Sequence, residues 1–159
     1  MVHLKRVLAP TDFSEHSRCS VRYAVEIAQK FGAELVLLHV VPDAILTLPD
    51  AVMPTPAPVA DLDALTQAGT DGLAKLVSDE HLDKLNPRCE VRIGSPSGEI
   101  VAAAKDLHAD LICVSTHGRT GLSRVLLGSV AELIVRHAPC PVLTVRPKAL
   151  EHPPEPDPV

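Results

Sequence analysis

The sequence predicts an α/β fold, a single doubly wound domain with a five-stranded parallel sheet and helices on both faces. Three observations predict it. Five short strand-like segments alternate with stretches of helical periodicity, the pattern that right-handed crossovers turn into a parallel sheet. The 46% apolar content is carried by Val, Leu, Ala and Ile, with two Phe, one Tyr and no Trp, which suits strands buried on both faces. A length of 159 residues fits one domain.

The elements follow in order. Arg6 to Ala9 reads as the first strand. From Ser14 to Phe31 a helix places Val21, Ala24, Val25, Ala28 and Phe31 on one face and stops at Gly32. Glu34 to Val41 (ELVLLHVV) is a second buried-type strand, and Leu62 to Leu85 carries a looser helical rhythm through Leu62, Leu65, Leu73, Leu76 and Val77. Between them, Pro42 to Ala60 holds five prolines and exceeds an ordinary connection; it reads as an insert, 42–60, acting as a mobile flap or a partner-binding arm. Arg88 to Ile93 alternates as a third strand. GSPSGE then supplies an N-cap serine and a first-turn proline for a helix running to about His108. Asp110 to Val114 is the fourth strand, and Ser129 to His137 a helix whose face is Val130, Leu133, Ile134 and His137. Pro141 to Arg146 is the fifth strand. Residues 1–147 form the domain, and the tail 148–159, with four prolines and four charges, has too little to bury to order itself.

Bulk composition excludes several functions. A net charge of −5 and scarce aromatics remove both the electrostatic and the stacking means of holding nucleic acid. No apolar run reaches a membrane span, and the charged start MVHLKRVLAPTD is no signal peptide, so a cytoplasmic protein without a membrane partner is expected. Cys19, Cys89, Cys113 and Cys140 lack CxxC spacing and read as reduced thiols. The eight histidines show no metal-binding spacing.

In such sheets ligands settle beyond the strands' carboxyl ends, where the strand order reverses. Two loops there carry chemistry. APTDFS, Ala9 to Ser14, follows the first strand; STHGRTGLSRVLLGS, Ser115 to Ser129, follows the fourth. In the second, Gly118 and Gly121 permit close backbone approach. Free N–H groups at Gly128, Ser129 and Val130 would form an anion site at a helix N-terminus, with Arg119 or Arg124 adding charge. The alternative is a long connection whose glycines make turns and whose Ser129 caps the helix. Neither GxxxxGK[ST] nor GxGxxG occurs. Asp12 either accepts from a ribose hydroxyl or adenine amino group or caps the helix near Ser14. His39 reads as a satisfied histidine at the end of a buried strand, His117 as orienting or capping its loop, and Cys113 as core.

APTDFSEHS, LLHVV and STHGRTGLSRVLLGSVAELIVRHAPCPVLTVR, in this spacing, resemble the universal stress protein family up to about Arg146. The resemblance implies strand order 3-2-1-4-5, stress-response or regulatory roles and homodimers. Its ATP-binding branch carries a glycine, two residues, a glycine, nine residues, then glycine and Ser or Thr. Here the later positions are Gly118, Gly128 and Ser129, while Ser115 stands at the first. A Cβ there would strain or slightly open a geometry that needs glycine. Carried over, Asp12 contacts adenosine, Val40 holds adenine through its backbone, and Gly118, Gly128, Ser129 and Val130 hold phosphates, with Pro10 and Thr11 shaping the first loop. The implied cofactor is ATP, with Mg2+ or Mn2+ as an accompanying ion, and the implied partners are a second copy paired along Pro141 to Arg146 and a further protein. The expected function is an ATP-binding regulatory module rather than a dedicated enzyme. The alternatives are the branch that binds no nucleotide and acts through protein contacts, favoured by Ser115, and a slow ATP hydrolase.

Overall fold

The computed structural model describes residues 3–43, 61–116 and 127–146. Strands and helices alternate as the pattern requires: β1 (Arg6–Pro10), α1 (Glu15–Phe31), β2 (Glu34–Pro42), α2 (Leu62–Asp79), β3 (Arg88–Gly94), α3 (Pro96–Asp106), β4 (Leu111–Ser115), α4 (Ser129–His137) and β5 (Val142–Val145). The sheet order is β3-β2-β1-β4-β5, and every neighbouring pair is parallel. The insert beyond Asp43 and the tail 148–159 lie outside the described residues.

Side-chain alternation along each strand feeds two apolar layers. Val7 and Ala9 of β1, Leu35 and Leu37 of β2 and Cys113 of β4 face α1 and α2, meeting Val21, Ala24, Ala28, Leu73 and Leu76. Leu8, Val36, Leu38, Val40, Ile112 and Val114 face the opposite side, against Ile100, Ala103, Ala131 and Ile134 of α3 and α4. Helices therefore cover both faces, as two-sided burial of the strands demands.

Helix ends explain most boundaries. Ser14 caps α1 by accepting from Ser17 N, and Gly32, left-handed at φ 63°, closes it with bonds to the Ala28 and Gln29 carbonyls. Asp61 caps α2 through Asp63 N and Ala64 N. Ser95 precedes α3 and Pro96 opens it as expected, yet the Ser95 side chain makes no capping bond.

Three expectations are corrected. The helix foreseen to Leu85 stops at Asp79, because the chain turns through His81 at φ 55° and continues as a 3-10 turn, Asp83–Leu85. Phe31, placed on the buried face of α1, is 48% exposed: Ala28 completes the buried stripe and Phe31 falls where Gly32 reverses the chain. On α4 the buried pair is Ala131 and Ile134, whereas Val130 and Leu133 are exposed, as is His137. The helix is rolled so that its smallest residue, Ala131, lies in the same buried layer as Ala103 and Ala104 of α3.

Candidate functional site

β1 and β4 are neighbours, with Val7 beside Leu111 and Leu8 beside Ile112. From β1 the chain passes to α1 on one face of the sheet, and α4, which follows β4 in the chain, lies on the other. The strand order thus reverses at this seam, the position at which open α/β sheets form a ligand crevice. The loop after β1 and the N-terminus of α4 are the elements that flank it.

The loop after β1 is held by a closed set of hydrogen bonds. Thr11 N donates to the Leu38 carbonyl at 2.8 Å, continuing the ladder by one residue past Pro10. The buried Thr11 hydroxyl accepts from Phe13 N at 3.0 Å and lies 3.0 Å from the Ser17 hydroxyl. Since Ser17 donates to the Ser14 carbonyl, the Thr11 proton is the one that joins the two hydroxyls. Asp12, half-buried, accepts through Oδ1 from Ser14 N at 3.0 Å and from the Ser14 hydroxyl at 2.5 Å. The helix cap is accordingly Ser14, not Asp12, and the Asp12 carboxylate braces that cap.

Phe13 completes the loop in the left-handed region, φ 66°, a conformation that costs a non-glycine residue on the order of 1–3 kcal/mol. Its ring stacks on His39 with centroids 4.3 Å apart and planes at 28°. His39 Nδ1 is 2.9 Å from the Thr11 carbonyl. A carbonyl only accepts, so Nδ1 carries the proton. His39 is the satisfied histidine that the sequence foretold, and its partner is the loop itself. The importance of Phe13 was missed; its one signal was an aromatic beside Asp12 in a chain with two phenylalanines.

β2 supplies Val40, whose side chain is buried on the α3 side. Leu38 is the partner of Pro10 and gives its carbonyl to Thr11. The alternation of peptide groups along a strand then turns the N–H and C=O of Val40, two residues on, toward the side from which β1 has departed.

On the other flank, Ser115 ends β4 and is buried, as is Thr116. Ser115 holds no left-handed backbone: the described non-glycine residues at positive φ are Phe13, His81, Asn86 and His108. The Ser115 backbone itself is therefore unstrained. Gly128 is the N-cap of α4 at φ −58°, ψ 150°, and its N–H donates to the Thr116 carbonyl at 2.7 Å. That corrects the expectation of a free Gly128 N–H. Ser129 and Val130, the first two helical residues, are exposed, and the helix itself offers their N–H groups no acceptor. A glycine cap brings no side chain to fill that place. Gly118, Gly121, Arg119, Arg124 and His117 lie outside the described residues.

Among the described residues no three His, Cys, Asp or Glu side chains converge as a metal site. Cys113 is buried, and burial pushes its thiol up to about 12, as befits core.

Residues 3–146 match the Universal stress protein family. The chain belongs to the universal stress protein family. The universal stress protein MJ0531 of Methanocaldococcus jannaschii is 35% identical over 145 residues, covering 89% of this chain and 82% of that protein. The solved structure of MJ0577, from the same organism, is 27% identical with a TM-score of 0.74, covering 91% of this chain and 97% of that one. A universal stress protein solved in complex with cAMP is 22% identical, with a TM-score of 0.63 over 92% of this chain and 99% of that one; this likeness is one of fold. The sheet order is that of a universal stress protein, and no described helix is long and apolar enough to cross a membrane.

Proposed function

We propose that this universal stress protein is a cytoplasmic regulatory module that binds ATP at the β1–β4 seam and works as a homodimer. The observation that carries the reading is the adjacency of β1 and β4. It sets Asp12, with Pro10 and Thr11 behind it, on one flank and Gly128, Ser129 and Val130 on the other. In this reading Asp12 accepts from adenosine hydroxyls, and the Val40 peptide meets the adenine edge. The N–H groups of Ser129 and Val130, with the Gly118 loop, hold phosphate at the positive end of α4. Ser115 contributes the wall between the flanks. A Mg2+ or Mn2+ ion would ride on the phosphates. The universal stress protein solved with cAMP supports the fold as one that accommodates an adenine nucleotide.

The dimer reading rests on β5, an edge strand. The Pro141 carbonyl accepts from Ile112 N and the Val145 carbonyl from Thr116 N, so the odd-numbered peptide groups face β4. The groups of Val142 and Thr144 then point outward by alternation, ready to pair with a second copy. An open edge of this kind otherwise invites uncontrolled pairing.

The test is direct. Purified protein is denatured and the supernatant assayed for adenine nucleotide, and ATP is then titrated into the stripped protein and into Asp12→Ala. Release of nucleotide, binding by the wild type and a loss of about tenfold in the variant are expected, roughly the value of one charge-assisted contact. Absence of both release and binding at millimolar ATP would favour the second reading, a stress-response dimer that acts through protein contacts alone. The observation favouring that reading is Ser115, whose side chain stands where the ATP-binding motif has none.

A further inference from the structure

α2 meets the Asp12 loop and His39 at two of its glycines. A Cβ added to Gly72 would lie 2.6 Å from Phe13 Cζ and 2.8 Å from Cε2. One added to Gly69, a turn earlier, would lie 3.0 Å from His39 Cδ2 and 3.1 Å from Val91 Cγ1. The helix backbone therefore rests directly on the stacked Phe13–His39 pair. That pair is fastened at both ends to the segment that carries Asp12: His39 to the Thr11 carbonyl, and Phe13 through its own N–H to the Thr11 hydroxyl. Asp12 sits between these anchors, tied forward to Ser14.

We propose that Phe13 is a positioning residue through which the seating of α2 sets the place of Asp12, and with it the affinity of the cleft for ATP. The inference rests on the nucleotide reading above. Its physical content is a rigid linkage: a ring held in a left-handed backbone by a stack on one side and a glycine-floored helix on the other. Displacing α2 by a few tenths of an ångström moves the ring, and close-packed contacts transmit such shifts rather than absorbing them. α2 thereby becomes a second input to the site, distinct from the ligand. Anything that reseats this helix changes nucleotide affinity without touching the nucleotide.

The experiment is a double-mutant cycle on Gly72 and Phe13 with ATP as the probe. Gly72→Ala, whose methyl meets the ring, is expected to weaken ATP binding at least fivefold. Phe13→Gly, which keeps the backbone free to stay left-handed while deleting the ring, is expected to weaken it similarly. In the double variant the Gly72→Ala effect disappears, because the methyl has nothing left to push. Gly98→Ala is the control, since its Cβ would meet only Ser95 at 3.7 Å, and it should bind as the wild type does. Backbone amide resonances of Thr11 to Ser14 give an independent readout, expected to move in Gly72→Ala and to stay in Gly98→Ala. Independent, multiplying effects in the double variant, wild-type affinity in Phe13→Gly, or unmoved amides in Gly72→Ala would each overturn the proposal. If Gly72→Ala does not fold, Phe13→Gly and its amide shifts decide alone. A wild type that binds no ATP removes the nucleotide reading and this proposal together. That result is distinct from failure of the linkage, in which the wild type binds and Gly72→Ala binds equally well.

Discussion

Gly128 N donates to the Thr116 carbonyl at 2.7 Å, clasping the start of α4 to the end of β4. The clasp fixes where the positive end of the helix lies relative to the sheet, although some of the chain between the two residues lies outside the described set.

Gly128 has an ordinary backbone, φ −58° and ψ 150°, that any L-residue adopts. Gly128→Ala should therefore fold without backbone strain. If a phosphate approaches this cap, the added methyl should weaken ATP binding about tenfold, near 1.4 kcal/mol, with the thermal midpoint lowered by only about 1–3 °C, the cost of alanine in place of a glycine N-cap. Calorimetric titration beside a melting curve separates the two; equal affinity would show that the ligand does not approach Gly128.

Thr144→Pro tests the proposed dimer. Because the Thr144 peptide faces away from β4, proline there removes an outward donor and leaves the β4–β5 ladder intact, a placement that edge strands tolerate. Light scattering is expected to read a monomer where the wild type reads a dimer, with the circular dichroism unchanged. A variant dimer of unchanged size would exclude β5 pairing.

Acid should loosen the α1–α2 contact. Arg22 holds both carboxylate oxygens of Glu80, at 2.9 and 3.0 Å. This hydrogen bonding, with the charges of Arg22 and Arg18 and against the cost of burial, lowers the Glu80 pKa. A lowered folded pKa contributes stability that is complete above the unfolded value, about 4.3, and is lost as pH falls through the folded one. Arg22 is half-exposed, so the contribution is about 0.5–1 kcal/mol. Urea denaturation should find Glu80→Gln less stable than the wild type by that amount at pH 7, the gap closing below about pH 4.

Cys113 should be silent to thiol reagents. With its thiol raised to about 12 and its side chain fully buried, labelling at pH 8 should occur only on unfolding. Rapid labelling of native protein at this position would contradict the packing of β4.

What the sequence made legible was set by periodicity. β1, β2 and β4 were readable because two-sided burial writes aliphatic runs, whereas the edge strand β3, exposed or half-buried along its length, was readable from its alternation. The rotation of α4 was not, since Val130, Leu133 and Ile134 satisfy helical spacing on two overlapping faces, and only the packing against α3 chose Ala131 with Ile134. Asp12 was singled out by its position after a strand. Its bracing of Ser14, the spent N–H of Gly128 and the Phe13–His39 stack depend on contacts between segments distant in sequence, which spacing does not encode.

The pairing of β1 with β4 joins residues about a hundred positions apart, a costly long-range closure. No cleft exists on the ribosome until β4 has emerged and docked beside a strand made long before. A ligand bound at that seam, as proposed, would stabilise only the finished molecule, so its occupancy would double as a certificate that synthesis and folding are complete.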